Sequence, residues 1–207
     1  VNSKLLLRGH RETFVTNKNR KNSMKTNERT FTGDIERLRR PERLAALEVP
    51  HVVDLCLDGA NPASVLDAGC GSGIFFEAFK ARGLFCAGVD LNPRMLGASR
   101  GFVPAAAVAA ATAEHLPFAN KSFDLVFLAH LLHEVDDPAI TLRECRRIAR
   151  TWIAVLEWPY RQEELGPPLG HRLSPEAVSA AVAGAGLSRI RPVALKAMAL
   201  YLIDVRE

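Results

Sequence analysis

Short apolar runs alternate with amphipathic stretches along most of this 207-residue chain. Residues 63–68, 85–90, 124–129 and 152–157 are apolar runs of the kind that forms strands buried on both faces of a sheet. Between the first two, Ile74, Phe75, Ala78 and Phe79 fall on one face of a helix predicted over 73–82, with Gly83 as its C-terminal cap. Asn92-Pro93 starts another helix, continued by Met95 and Leu96. Asp137-Pro138 supplies a cap and a first-turn proline for a helix carrying Ile140, Leu142, Cys145 and Ile148 to about Arg150. Ser174-Pro175-Glu176 opens the last helix, which Gly184 and Gly186 help to end. Residues 108–111 form a weak strand recognised by position, since alanine has little preference for sheet. Ahead of the first strand, Leu44, Leu47, Val52, Leu55 and Cys56 stand at helical spacing, and Pro50 divides the stretch. Behind the last helix, 188–195 and 198–205 alternate as two strands joined by a tight turn.

Strands alternating with helices require right-handed crossovers and a doubly wound, Rossmann-like α/β sheet. The length suits one such domain with a short extension. Charge divides the chain the same way. Residues 1–29 hold eight Lys or Arg against two Glu, so the formal +4 of the whole leaves 30–207 at −2. The expected organisation is a basic, flexible extension over 1–29 and a folded domain over 30–207, with residues 1–23 dispensable to the fold. A basic excess confined to a tail argues against nucleic acid as a partner. Arg37, Arg39, Arg40 and Arg43 form one further cluster, read as a solvated helix face. Leu5-Leu6-Leu7 is too short for a signal-peptide core of about 7 to 15 apolar residues, and no run is long enough to span a bilayer. Cys56, Cys70, Cys86 and Cys145 lie far apart without a C-x-x-C pair, the usage of reduced thiols in a cytoplasmic protein.

The chemistry concentrates in Val65-Leu66-Asp67-Ala68-Gly69-Cys70-Gly71-Ser72-Gly73 and in Gly88-Val89-Asp90, which ends the next apolar run 23 residues after Asp67. A strand, a glycine turn and a helix start bring backbone N–H groups and a partial positive charge to a ligand, and Asp90 would take two ribose hydroxyls. The glycines run G-x-G-x-G, whereas the dinucleotide fingerprint is G-x-G-x-x-G. Asp67 just before them would repel a pyrophosphate and help hold an ammonium, directly or through water. S-adenosylmethionine carries an ammonium, a carboxylate and a ribose.

These residues resemble the first motif of the class I S-adenosylmethionine-dependent methyltransferases. Ala113-Glu114-His115-Leu116-Pro117-Phe118, Ser122-Phe123-Asp124-Leu125-Val126-Phe127 and His130-Leu131-Leu132-His133-Glu134-Val135-Asp136-Asp137-Pro138 follow in order. They are similar to the adenine-side loop, fourth strand and post-strand helix of the methyltransferase type 11 group, to which ubiquinone and menaquinone biosynthesis enzymes belong. The resemblance spans about residues 60–160 and implies a mostly parallel seven-stranded sheet closed by a C-terminal antiparallel hairpin.

It also implies site roles. Gly69, Gly71 and Gly73 bring backbone to the methionine part of the cofactor, Asp67 favours its ammonium and Asp90 binds the ribose. Leu91 packs beside the adenine and the Ala113 backbone pairs with a ring nitrogen. Relatives commonly place Asp before that alanine; Thr112 stands here, so Thr112 or Glu114 would accept from the adenine amino group. Ala129 and His130, at the end of strand four, approach the reacting centre. His133, on the following helix, is the first candidate for a general base and His130 the second, since imidazole titrates near neutral pH; capping or packing is the competing role for His133. His130-x-x-His133-Glu134 matches neither H-E-x-x-H nor H-x-x-E-H and has no evident third ligand, so no metal is expected. After strand five, Trp158 and Tyr160 are candidates to stack on an aromatic acceptor and Arg161 to hold a carboxylate or phosphate. The expected activity is methyl transfer to a small molecule, yielding S-adenosylhomocysteine. A binding module without catalysis and a nicotinamide-dependent oxidoreductase are the alternatives.

Overall fold

In chain order the computed structural model, which describes residues 34–59, 61–104 and 106–206, runs α1 (Ile35–Leu38), α2 (Pro41–Leu47), α3 (Val49–Leu57), β1 (Ser64–Ala68), α4 (Ile74–Ala81), β2 (Phe85–Asp90), α5 (Pro93–Phe102), β3 (Ala107–Ala110), β4 (Phe123–Ala129), α6 (Pro138–Ile148), β5 (Ala149–Glu157), α7 (Pro175–Gly184), β6 (Arg189–Ala194) and β7 (Ala199–Asp204). The expected extension over 1–29, with its dispensable residues 1–23, lies outside the described residues.

The strands form one sheet in the order β3-β2-β1-β4-β5-β7-β6. β1 to β5 are mutually parallel, and β7 enters antiparallel between β5 and β6. β1 is buried at every position and β4 at nearly all, which is why their sequences read as unbroken apolar runs. Val52, Val53 and Cys56 of α3 and Phe75, Phe76 and Phe79 of α4 join one core cluster, and Leu142, Cys145 and Ile148 of α6 with Val178 and Val182 of α7 join a second. Phe127 of β4 meets Phe75 and Phe79 with ring centroids at 4.7 and 5.2 Å, locking α4 onto the centre of the sheet. The four cysteines are buried free thiols.

Three boundaries differ from the sequence reading, each for a local reason. Glu48, left-handed at φ 47°, separates α2 from α3, and Pro50 lies in the first turn of α3, where its missing N–H costs nothing. α6 ends at Ile148 and not near Arg150, because Ala149 already pairs with Phe123 across an irregular β4–β5 register. Residues 132–136 are turns and bends, so His133 precedes α6 and does not ride on it. Pro138 disfavours a helical Asp137, whose carboxylate instead accepts from the N–H groups of Ala139 and Ile140 at 2.8 and 3.0 Å.

Candidate active site

The strand order reverses between β1 and β4, and the C-terminal end of such a switch point is where open α/β sheets bind ligands. The glycine turn follows β1 there. Gly73 caps α4 at φ 80°, and a Cβ on it would lie 2.6 Å from Ser99 Oγ, so both conformation and space require glycine. Gly71, at φ 51°, has no heavy atom within 4 Å of a Cβ position, so the turn is open on that side. The turn's own donors are engaged. Gly69 and Cys70 N–H reach the Val89 carbonyl at 2.8 and 2.9 Å, and Gly71 N–H donates to Asp90 Oδ2 at 2.8 Å. Asn92 N–H donates to Asp90 Oδ1 at 2.8 Å. Asp90 therefore ties the two strand ends together, and each carboxylate oxygen keeps a lone pair for a hydroxyl.

Asp67 is 2% exposed and accepts from the Phe76 N–H at the start of α4. Burial first, and the Asp90 charge second, push its carboxyl up to about 7. Leu91 follows Asp90, partly exposed. Thr112 and His115 pair as a single bridge around buried Ala113 and half-buried Glu114. Two α6 residues hold this segment. Glu144 accepts from Leu116 N–H at 2.8 Å, and Arg147 reaches the Leu116 and Phe118 carbonyls and the Asn120 side chain.

At the end of β4, Ala129 is partly buried and His130 adopts a left-handed φ of 54° that few non-glycine residues take. Its ring stacks on Trp158, centroids 4.7 Å apart and 16° from parallel. Arg43 Nη2 lies 3.2 Å from Nδ1, and Met198 Sδ 3.3 Å from Nε2. A guanidinium only donates, so Nδ1 is the acceptor and Nε2–H points to the sulfur. Burial, then the charge of Arg43, then His133 hold this imidazole well below its usual range, and it is neutral at pH 7. His133 is 5% exposed. Its Nδ1 lies 2.7 Å from Glu157 Oε2, and its backbone N–H donates to Glu157 Oε1 at 3.2 Å.

Half of the basic cluster leaves the solvated face expected of it: Arg37 and Arg40 are exposed, whereas Arg39 and Arg43 turn inward. Arg39 donates to the Ser72 carbonyl of the glycine turn at 2.9 Å, pairs with Glu77 and lies 3.6 Å over the Phe102 ring. Arg43 turns inward to His130, and burial first, then Arg37, lower its affinity for its proton. The Nε atoms of Arg39 and Arg43 are buried without a hydrogen-bond partner. Trp158 is 5% exposed, a packed wall, whereas Tyr160 is 52% exposed and Arg161 turns to Glu163 and the Lys196 carbonyl. Buried Arg172 binds the carbonyls of Pro159, Arg161, Leu165 and Pro167, which fixes this loop against Trp158.

The family described as a methyltransferase domain matches residues 66–151. The seven-stranded order and the glycine turn agree with it. Residues 66–151 thus carry a class I S-adenosylmethionine-dependent methyltransferase domain. An uncharacterized methyltransferase of Mycobacterium bovis is 36% identical over 118 residues, 56% of this chain and 48% of that protein. A ubiquinone biosynthesis O-methyltransferase of Hahella chejuensis is 36% identical over 91 residues, 42% of this chain and 38% of that one. The chain thus spans about half the length, or less, of these curated relatives. In fold it is similar to a methyltransferase of Aquifex aeolicus, with a TM-score of 0.73 at 22% identity over 83% of this chain and 97% of that one.

The cofactor of this methyltransferase family is S-adenosylmethionine, and the site fits it in three observations. The turn is open at Gly71, Asp90 stands across from it with lone pairs to spare, and Arg43 is a half-buried cation with a neutral imidazole as a hydrogen-bond partner. Sequence reasoning gave no site role to Arg43, Glu157 or Arg172. For Glu157 a signal existed, because it ends the apolar run of β5 as Asp90 ends that of β2. For Arg172, in a proline-rich loop, there was none.

Proposed function

We propose that this protein transfers a methyl group from S-adenosylmethionine to a small-molecule acceptor in the cytoplasm. The observation that carries the reading is the pairing, at one switch point, of an open glycine turn tied to Asp90 with the end of neighbouring β4, after which His130 and His133 follow in the chain. Bound there, the cofactor supplies an electrophilic methyl group on a sulfonium. Asp90 holds the ribose, Leu91 flanks the adenine, and Ala113 with Thr112 and Glu114 reads its edge. Gly69, Gly71, Gly73 and Ala129 bring backbone to the methionine part. Arg43, half-buried beside His130, takes the methionine carboxylate through charge-assisted hydrogen bonds. Asp67, buried behind the turn, favours the ammonium through its field and not by contact.

His133 is the better base of the two histidines, because the Glu157 carboxylate 2.7 Å from its Nδ1 favours the imidazolium, whereas burial and the Arg43 charge beside His130 disfavour it. His130 and Trp158 form a packed wall, and Tyr160 and Arg161 stand at the rim where an acceptor enters. Orienting the acceptor against the methyl group can supply about 7 to 11 kcal/mol of the barrier. The names of the curated relatives, among them ubiquinone biosynthesis O-methyltransferases, are consistent with a small acceptor. Among the described residues no helix is long and apolar enough to cross a membrane.

Calorimetric titration with S-adenosylhomocysteine, with NADH as control, tests the cofactor reading. One-site binding of the first alone is expected, followed by methyl transfer in a screen of small acceptors. Binding of NADH alone, or of neither by folded protein, overturns it. Binding without transfer to any acceptor leaves the non-catalytic module.

A further inference from the structure

The Arg172 side chain is 1% exposed, and its charge is met by carbonyls of the loop that precedes it. Nε donates to the Pro167 carbonyl at 2.9 Å, Nη1 to those of Pro159 and Arg161 at 3.0 and 2.9 Å, and Nη2 to that of Leu165 at 2.7 Å, with Glu163 Oε2 3.7 Å away. Burying a guanidinium is costly unless its donors are met, so a segment that merely covers a site has no use for one. The loop from Pro159 to Pro167 is wrapped around this cation, and the group it bears on is Trp158.

The Leu165 carbonyl that Nη2 grips belongs to the peptide entering Gly166, which is left-handed at φ 93°. A Cβ on Gly166 would lie 2.7 Å from Cδ2 and Cε3 of the indole, so backbone rests directly on the Trp158 ring where a side chain would not fit. Trp158 in turn stacks on His130 at 4.7 Å, and His130 Nδ1 accepts from Arg43 Nη2 at 3.2 Å. The Arg43 and Arg172 guanidinium carbons lie 5.7 and 5.5 Å from the centroid of the indole. Enclosed by Gly166, His130 and two arginines, Trp158 is a spacer that connects the loop to Arg43.

We propose that Arg172 is a positioning residue for the carboxylate end of the cofactor, acting through Gly166, Trp158 and His130 on Arg43. The proposal rests on the reading above in which Arg43 takes the methionine carboxylate. Arg43 is a long side chain with many rotamers to lose on binding. Two aromatic planes, pressed together from the far side by a loop that is itself fixed, hold its guanidinium in place before the ligand arrives, and such preorganisation raises affinity by lowering the cost of ordering.

Calorimetric titration of the full chain with S-adenosylhomocysteine, and with 5′-methylthioadenosine, which keeps the nucleoside and the sulfur but lacks the amino-acid carboxylate, tests the relay. Arg172→Lys keeps the charge but replaces the planar fork by an ammonium that cannot serve four carbonyls at once. Its affinity for S-adenosylhomocysteine is expected to fall about threefold or more, with 5′-methylthioadenosine bound as by the wild type. In the double variant with Arg43→Gln the loss is expected to be no larger than in Arg43→Gln alone, because a residue that acts through Arg43 then has nothing left to position. The proposal is overturned by an unchanged affinity for S-adenosylhomocysteine, by an equal loss for both ligands, or by losses that add in the double variant. Should Arg172→Lys fail to fold, Trp158→Leu, which removes the stack and leaves the carbonyl contacts of Arg172 in place, is read by the same outcomes. Failure of the methyltransferase reading is distinct, since the wild type then binds neither ligand.

Discussion

Asp67 and Asp90 stand at the ends of adjacent parallel strands, with Asp90 two residues beyond Gly88, the register partner of Asp67, and the charge of Asp90 makes ionisation of Asp67 harder. The same field that disfavours a second carboxylate favours a cation, the physical basis on which the proposed cofactor's ammonium would sit near this turn.

Asp67 sets a pH dependence of stability whose sign is unusual for an aspartate. Its carboxyl sits near 7 in the folded protein against an ordinary 3.8, so between about pH 4 and 7 the folded state binds one proton more than the unfolded chain. Its contribution to stability therefore declines as pH rises through that window, by about 4 kcal/mol at the outside, and is flat above it. Urea unfolding of wild type and Asp67→Asn at pH 5 and pH 8 checks this; the variant is expected to gain on the wild type at the higher pH.

Asp90→Ala removes acceptors for Gly71 and Asn92 N–H as well as for the ribose. Affinity for S-adenosylhomocysteine is expected to fall about tenfold to a hundredfold, the worth of hydrogen bonds to a charged group. Calorimetry on the folded variant measures it, and unchanged affinity removes Asp90 from the site.

Arg43→Gln separates the two ends of the cofactor. Binding of S-adenosylhomocysteine is expected to weaken about tenfold or more, while 5′-methylthioadenosine, which has no carboxylate, is expected to bind both proteins alike. Equal loss for both ligands would mean that Arg43 supports the fold of the site and not the carboxylate. In the same variant the His130 imidazole is expected to titrate higher, since a neighbouring cation has gone.

Gly73→Ala brings a Cβ to 2.6 Å from Ser99 Oγ and places alanine at φ 80°. The left-handed backbone alone costs about 1 to 2 kcal/mol. Ser99→Ala, which deletes a buried hydroxyl lacking a partner, is expected to be near neutral by itself and to recover part of the Gly73→Ala loss. Denaturation midpoints of the single and double variants give the coupling.

Arg172→Ala leaves the carbonyls of Pro159, Arg161, Leu165 and Pro167 without their shared donor. Cleavage by a non-specific protease is expected to appear first between 159 and 172. An unchanged cleavage pattern would show that the loop is held by Trp158 packing alone.

Most of the architecture was legible because its causes are local. Unbroken apolar runs can only be buried strands, Ile74, Phe75 and Phe79 repeat at the helical period, and the Gly69–Gly73 turn with Asp90 is a backbone requirement written in neighbouring residues. The wiring of the site was not legible, because it consists of contacts between residues far apart in the chain. Arg43 meets His130 across 87 positions and His133 meets Glu157 across 24. Local pattern reads four clustered arginines as a solvated face; only the packing of α2 over the end of β4 turns Arg43 inward. The sequence by itself thus determined the doubly wound sheet, its glycine turn and the carboxylate, Asp90, that closes β2 beside it. The tertiary structure alone decided which histidine is locked neutral beside an arginine and which is paired with a carboxylate, since burial and nearby charge, not residue type, set the chemistry of an imidazole.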